Sequence, residues 1–67
     1  MASRMSNEVF KLYAGEEITI HSSLDAAKKA AKKYMPTEKY LRIEEVDGEL
    51  GGDWWAYEYD IDQWAPS

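Results

Sequence analysis

Cysteine is missing from this chain, which excludes any disulfide and any thiolate metal site. Histidine is nearly missing: His21 is the only imidazole. No run approaches the ~18 apolar residues that a membrane-spanning helix requires, and no signal-peptide pattern opens the chain. These absences point to a soluble protein of the cytoplasm. Basic residues are missing from one end: residues 44–67 hold eight acids (Glu44, Glu45, Asp47, Glu49, Asp53, Glu58, Asp60, Asp62) and no base. Residues 1–43 hold all eight bases against five acids, so the net charge of −5 conceals a polarised chain. Clustered charge speaks to partners and solubility, not to fold. A solvated acidic surface that keeps a small domain soluble accounts for the same pattern.

What is present must fold with little help. At 67 residues the chain is a single domain near the lower size limit for folding without staples. Three Trp, five Tyr and one Phe must supply much of its buried area. Residues 1–6, with a second methionine at Met5, read as a disordered N-terminal extension, an artificial addition or an alternative start. The domain is therefore expected over residues 7–67.

The only clear helical period runs from Ser23 to Met35. Leu24, Ala27, Ala31, Tyr34 and Met35 fall on one stripe at 100° per residue, predicting a helix of about three turns. Ser23 is the expected N-cap, Asp25 suits the positive helix end, and Pro36 stops the helix. Small residues on the stripe let the helix lie close to a flat surface, here a sheet.

The flanking segments read as strands. Glu8–Tyr13 and Glu17–His21 alternate and make a hairpin about Gly15, with Ile18 and Ile20 on one face and Thr19 and His21 on the other. Lys39–Val46 forms a third strand, with Leu41 and Ile43 toward the helix and Tyr40, Arg42 and Glu44 opposite. Asp47–Gly52 reads as a glycine-rich turn. Asp53–Asp60 forms a fourth strand, with Trp55, Tyr57 and Tyr59 on one face and Trp54, Ala56 and Glu58 on the other. A turn at Asp60–Asp62 leads to a short last strand carrying Trp64, ended by Pro66. The fold expected is α+β: an antiparallel sheet of four to five strands, β-β-α-β-β, with one helix on one face. The other face is partly exposed, and aromatics on both faces of the fourth strand mean that one set escapes the helix. Such a set suits an interface, or a sheet that curls on itself or meets a second copy.

Catalytic chemistry finds little to work with. The serines lie at the termini or the helix cap with no oxyanion-hole motif, and the paired carboxylates lack a pocket to separate their pKa values. The acids lack calcium-loop spacing, Asp60 and Asp62 have no third ligand in register, and no phosphate loop is present. The expectation is a non-enzymatic protein with no cofactor and no metal.

Two charged surfaces remain as candidates. Lys28/Lys32 and Lys29/Lys33 are like-charged i,i+4 pairs, each unfavourable by roughly 0.2–0.5 kcal/mol. Lysines in the last turn suit the negative helix end, which covers Lys32 and Lys33 better than Lys28 and Lys29. A basic ridge could meet nucleic-acid phosphate or an acidic protein, and the acidic second half favours protein because it repels a long polyanion. That acidic, aromatic half, with Trp54, Glu58, Asp60 and Asp62, could conversely imitate a phosphate backbone.

The runs SLDAAKKAAKK, LRIEEVDG and WWAYEYD, followed by Trp64, resemble a family of small phage-encoded anti-CRISPR proteins acting on type I interference complexes. That family has a Ser-Leu-x-x-Ala-Lys-basic helix start, an Arg-Ile-Glu-x-Val strand with a glycine turn, and a Trp-x-Ala-Tyr strand. The likeness spans Ile18 to Trp64. The first half, SLDAAKKAAKKYMP, is also similar to phage inhibitors of bacterial RNA polymerase. The resemblance implies a non-enzymatic inhibitor in the host cytoplasm that binds a crRNA-guided complex and blocks target-DNA hybridisation. It carries over Lys28 and Lys29 as the family's basic helix pair, with Lys33 close behind. This chain departs from the family in its acidity and in its longer glycine-rich turn at Asp47–Asp53. A basic-helix clamp and an acidic DNA mimic dock on opposite kinds of surface. The remaining alternatives are a small nucleic-acid-binding module using the lysine helix and a dimerising structural protein.

Overall fold

A computed structural model describes residues 8–47 and 50–67. The chain opens with a hairpin of β1 (Glu8–Ala14) and β2 (Glu17–His21), whose register closes at Ala14 opposite Glu17. Gly15 is the first of the two loop residues and has φ +63°, the left-handed entry that a two-residue hairpin turn needs and that glycine adopts without penalty. Only Ser22 and Ser23 separate β2 from the helix, so the hairpin feeds straight into it.

The helix α1 (Leu24–Ala31) is shorter than its hydrophobic period predicts: eight residues of α-helix, then a 3-10 turn over Lys32–Tyr34. Met35 keeps helical angles, but Pro36 has no amide to give the Lys32 carbonyl, which accepts instead from Met35 at 3.3 Å in a 3-10 bond. The Ser23 hydroxyl caps the start, accepting the amide of Ala26 at 3.1 Å. The amides of Thr37 and Glu38 both donate to the Tyr34 carbonyl, turning the chain toward β3 (Leu41–Asp47). The expected third strand thus starts later, and Tyr40 lies ahead of it, 82% exposed.

Next come β4 (Leu50–Glu58) and β5 (Gln63–Pro66), giving one antiparallel sheet in the order β2-β1-β3-β4-β5. The short last strand exists, and it carries Trp64. Leu50, Gly51 and Gly52 belong to β4, not to a turn as their glycine content predicts. The reason is a β-bulge. Glu44 pairs with Trp54 and Val46 with Gly51, so Gly52 and Asp53 together oppose the single Glu45. A Cβ on Gly52 would come 2.9 Å from the Glu45 carbonyl oxygen, which only glycine avoids. At the other end, Tyr59 and Asp60 lie beyond β4 in its turn to β5, and Asp62 takes φ 55° there. Residues 1–7, which include the expected N-terminal extension, and residues 48–49, expected within the glycine-rich turn, lie outside the described residues.

The core is small and aliphatic. Leu12, Ala14, Leu41 and Ile43 of the sheet and Ala27 and Ala31 of the helix are buried, at 2% exposure or less. Full burial of each large aliphatic side chain is worth about 1.5–3 kcal/mol. Alanine on the inner stripe brings α1 down onto β1, β3 and β2, with Leu24, Tyr34 and Met35 at the margin of the contact. One row of paired positions crosses the helix-side face: Thr19, Leu12, Ile43, Trp55 and Pro66. The helix covers its first part, while rings of β4 and β5 pack against the core beside it. None of the aromatic residues is fully buried.

Candidate partner-binding surfaces

The lysine ridge runs from the margin of α1's buried stripe round to its outer side. Lys29, Lys32 and Lys33 are exposed and Lys28 is half-buried. A shallow surface groove along this side is lined by Ser23, Asp25, Ala26, Lys28, Lys29 and Lys32. The Lys33 ammonium lies 5.2 Å from the centre of the Tyr34 ring, a cation–π contact. Because the α-helical segment ends at Ala31, Lys28 and Lys29 sit in its last turn, where cations complement the negative helix end. The helix dipole therefore accounts for Lys28 and Lys29 as well, a pair the longer expected helix would have left without that role.

The acidic candidates divide. Glu58 closes β4, and Asp60 and Asp62 lie in the following turn, all three exposed. Asp62 accepts a long hydrogen bond from the Tyr57 hydroxyl, at 3.5 Å. Burial pushes the Tyr57 phenol above its usual range, and the Asp62 charge adds to the effect. Tyr59 packs edge-on to Tyr57 at 4.9 Å and donates to the Glu38 carbonyl, pinning this turn to the chain ahead of β3. Trp64, paired with Tyr57 across β4 and β5, meets its ring edge-on at 5.2 Å. This end of the sheet is an acidic rim on an aromatic ledge.

Trp54 belongs to the opposite face. It stacks on Tyr13 at 5.5 Å with Arg42 over its ring at 5.8 Å, and Tyr13 donates to Glu44 at 2.8 Å. The hydrogen bond to Glu44, then burial, holds the Tyr13 phenol above its ordinary value. Lys11 pairs with Glu44 across β1 and β3, so basic groups offset acid on this open face. Trp54 and Glu58 share a face of β4 but stand four residues apart, about 13 Å along the strand.

A second acidic group lies at the far end of the sheet. Glu45 shares a hydrogen bond with Glu8, which together with burial and the charges of Glu8 and Asp53 raises its pKa. The acids of the second half are thus split between two ends and two faces. They do not form one continuous row.

Sequence reading assigned no role to Tyr13 or to the pair Ile18 and Ile20. Strand alternation placed both isoleucines on one face, but only the sheet order puts that face opposite the helix. His21 shares a 2.8 Å hydrogen bond with Thr19 of its own strand. Among the described residues no group of three or more His, Asp or Glu side chains could hold a metal. Nor is any helix among them long and apolar enough to cross a membrane.

No protein-family model matches the chain, nor does any curated protein or solved structure. The family resemblance rests on the residues quoted for it.

Proposed function

We propose that this chain is a non-catalytic inhibitor that binds a host nucleic-acid machine through protein contacts, with a type I crRNA-guided complex as the target and target-DNA binding as the step blocked. The observation that carries this reading is the lysine ridge. Four lysines stand on one short helical segment, Lys29, Lys32 and Lys33 exposed and Lys28 half-buried. Like charges so close are mildly unfavourable within the chain, and an acidic partner surface would relieve them. The eight acids and no base of residues 44–67 would repel a long polyanion reaching beyond the ridge, which favours a protein partner. Support for binding over catalysis comes from burial: among the described residues, no charged side chain is fully buried. The resemblance to anti-CRISPR proteins supplies the target.

The test mixes purified type I interference complex with the chain and measures retention of target duplex by gel mobility shift. Wild type should abolish the shifted band, and Lys28→Glu/Lys29→Glu should restore it with an unchanged circular dichroism spectrum. Asp60→Lys/Asp62→Lys should inhibit like wild type. Loss of inhibition in the aspartate variant alone would replace the lysine ridge with an acidic nucleic-acid mimic as the contact. A folded wild type that never alters DNA retention rejects this target. Direct binding of the chain to nucleic acid, steeply weakened by salt, would instead identify a small nucleic-acid-binding module.

A further inference from the structure

The two edges of the sheet are unequal. β5 spans four residues and ends in Pro66, which has no amide to offer a neighbouring strand. β2 has five residues in unbroken register with β1, and neither proline nor bulge protects its outer edge. Its Ile18 and Ile20 are 58% and 61% exposed on the open face. In a two-residue hairpin the pair flanking the loop exchanges both hydrogen bonds, and the pattern then alternates. Glu17, Thr19 and His21 therefore direct their backbone groups to β1, and Ile18 and Ile20 direct theirs outward.

We propose that β2 is a dimerisation edge, pairing antiparallel with β2 of a second copy about a two-fold axis at Thr19. The segment Glu17-Ile18-Thr19-Ile20-His21 is complementary to itself in that register. Ile18 falls opposite Ile20 of the second copy, so the outward backbone groups meet as hydrogen-bonded pairs. The same pairing sets four exposed isoleucines together on one face, as cross-strand apolar pairs. On the other face Glu17 meets His21 of the second copy. One Glu17 oxygen already accepts from the Tyr34 hydroxyl at 3.4 Å and His21 Nε2 is shared with Thr19, which leaves the other Glu17 oxygen to meet His21 Nδ1. Continued one step, the register sets Glu16 opposite Ser22, one residue before the N-cap and close to the positive end of the second copy's helix. An unrelated strand would have to supply both the apolar and the charge match; a second copy has them in place. The result is one continuous ten-stranded sheet.

Sedimentation equilibrium and cysteine crosslinking test this directly. The mass of wild type should rise with concentration from 7.7 kDa toward twice that value. Ile20→Lys, which places a charge on the edge, should stay monomeric at the same concentrations with an unchanged circular dichroism spectrum. The chain has no cysteine, so a single introduced thiol reports one position. Thr19→Cys should form a covalent dimer rapidly on mild oxidation, because facing non-hydrogen-bonded Cα atoms are about 4.5 Å apart, within disulfide range. Ile18→Cys is displaced from its own copy by two positions, ~7 Å along the strand, and should crosslink slowly, as should Gln63→Cys on the other edge. A folded wild type that stays at 7.7 kDa throughout overturns the proposal. So does a dimer that survives Ile20→Lys, or one in which Thr19→Cys crosslinks no faster than Gln63→Cys. Crosslinking decides the matter even if Ile20→Lys fails to fold.

Discussion

The sheet is held in two different ways on its two sides. Over β2, β1 and β3 a helix presses alanines onto leucine and isoleucine, and Leu12, Ile43, Ala27 and Ala31 reach 0% exposure. Over β4 and β5 no second helix lies among the described residues, and Trp55, Tyr57 and Trp64 stack in its place, each half-buried. Small side chains give close approach and complete burial. Large rings give area and directional contacts while keeping one edge in water, which suits a surface that also meets a partner. Charge divides along the same line: the lysine ridge stands over the aliphatic half, and Glu58, Asp60 and Asp62 rim the aromatic half.

Truncation of one side chain in each half puts the largest stress on this comparison. Leu12→Ala should cost about 2–5 kcal/mol by urea denaturation, since it leaves a cavity under the helix. Trp64→Ala should cost less, about 1–2 kcal/mol, because its site is already open to water. Equal losses would mean that the two halves are packed alike. Enlarging a small residue works in the opposite direction. Ala31→Leu should cost about 1–3 kcal/mol, by lifting α1 off the sheet. Ala65→Leu, on the open face of β5, should stay within about 0.5 kcal/mol of wild type.

The smallest effect expected is that of pH at the Glu8–Glu45 pair. The pKa of Glu45 is raised in the folded state, so its contribution to stability is present below the unfolded-state value and is lost as pH rises through the folded one. Glu45→Gln should therefore be more stable than wild type at neutral pH, and the gap should close as the solution is acidified past the carboxylate range. Thermal denaturation of both chains across that range checks the sign. A gap that widens on acidification would mean that Glu45 is held charged instead of sharing a proton.

Much of the fold was legible because its signals are local. Alternation in Glu17–His21 and the alanine stripe over Ala27 and Ala31 each name an element without reference to the rest of the chain. Ser23 as the cap and Trp64 in a last strand were equally open to reading. What was not legible depends on pairing between strands. Gly51 and Gly52 look like a turn until the bulge opposite Glu45 is known, for the glycine answers a backbone contact across the sheet. The helix period runs on through Tyr34, yet the geometry tightens after Ala31, where the Lys32 carbonyl takes the Met35 amide because Pro36 has none to offer. For the candidate surfaces, periodicity found the lysines, but the grouping of Trp54 with Asp60 and Asp62 followed chain order. In space Trp54 stands with Tyr13, Arg42 and Glu44 on the open face. Only the register of three strands reveals that company.

Native-state amide hydrogen exchange, read residue by residue, tests the contrast between the two halves most directly. The account predicts that the amides of Leu12 and Ile43 exchange only through global unfolding, with protection tracking the full stability of the domain. The hydrogen-bonded amides of β5 should exchange faster, through local opening of the aromatic ledge. Protection in β5 equal to that of Leu12 and Ile43 would contradict the account, because it would show that the rings close their half of the sheet as completely as the helix closes the other.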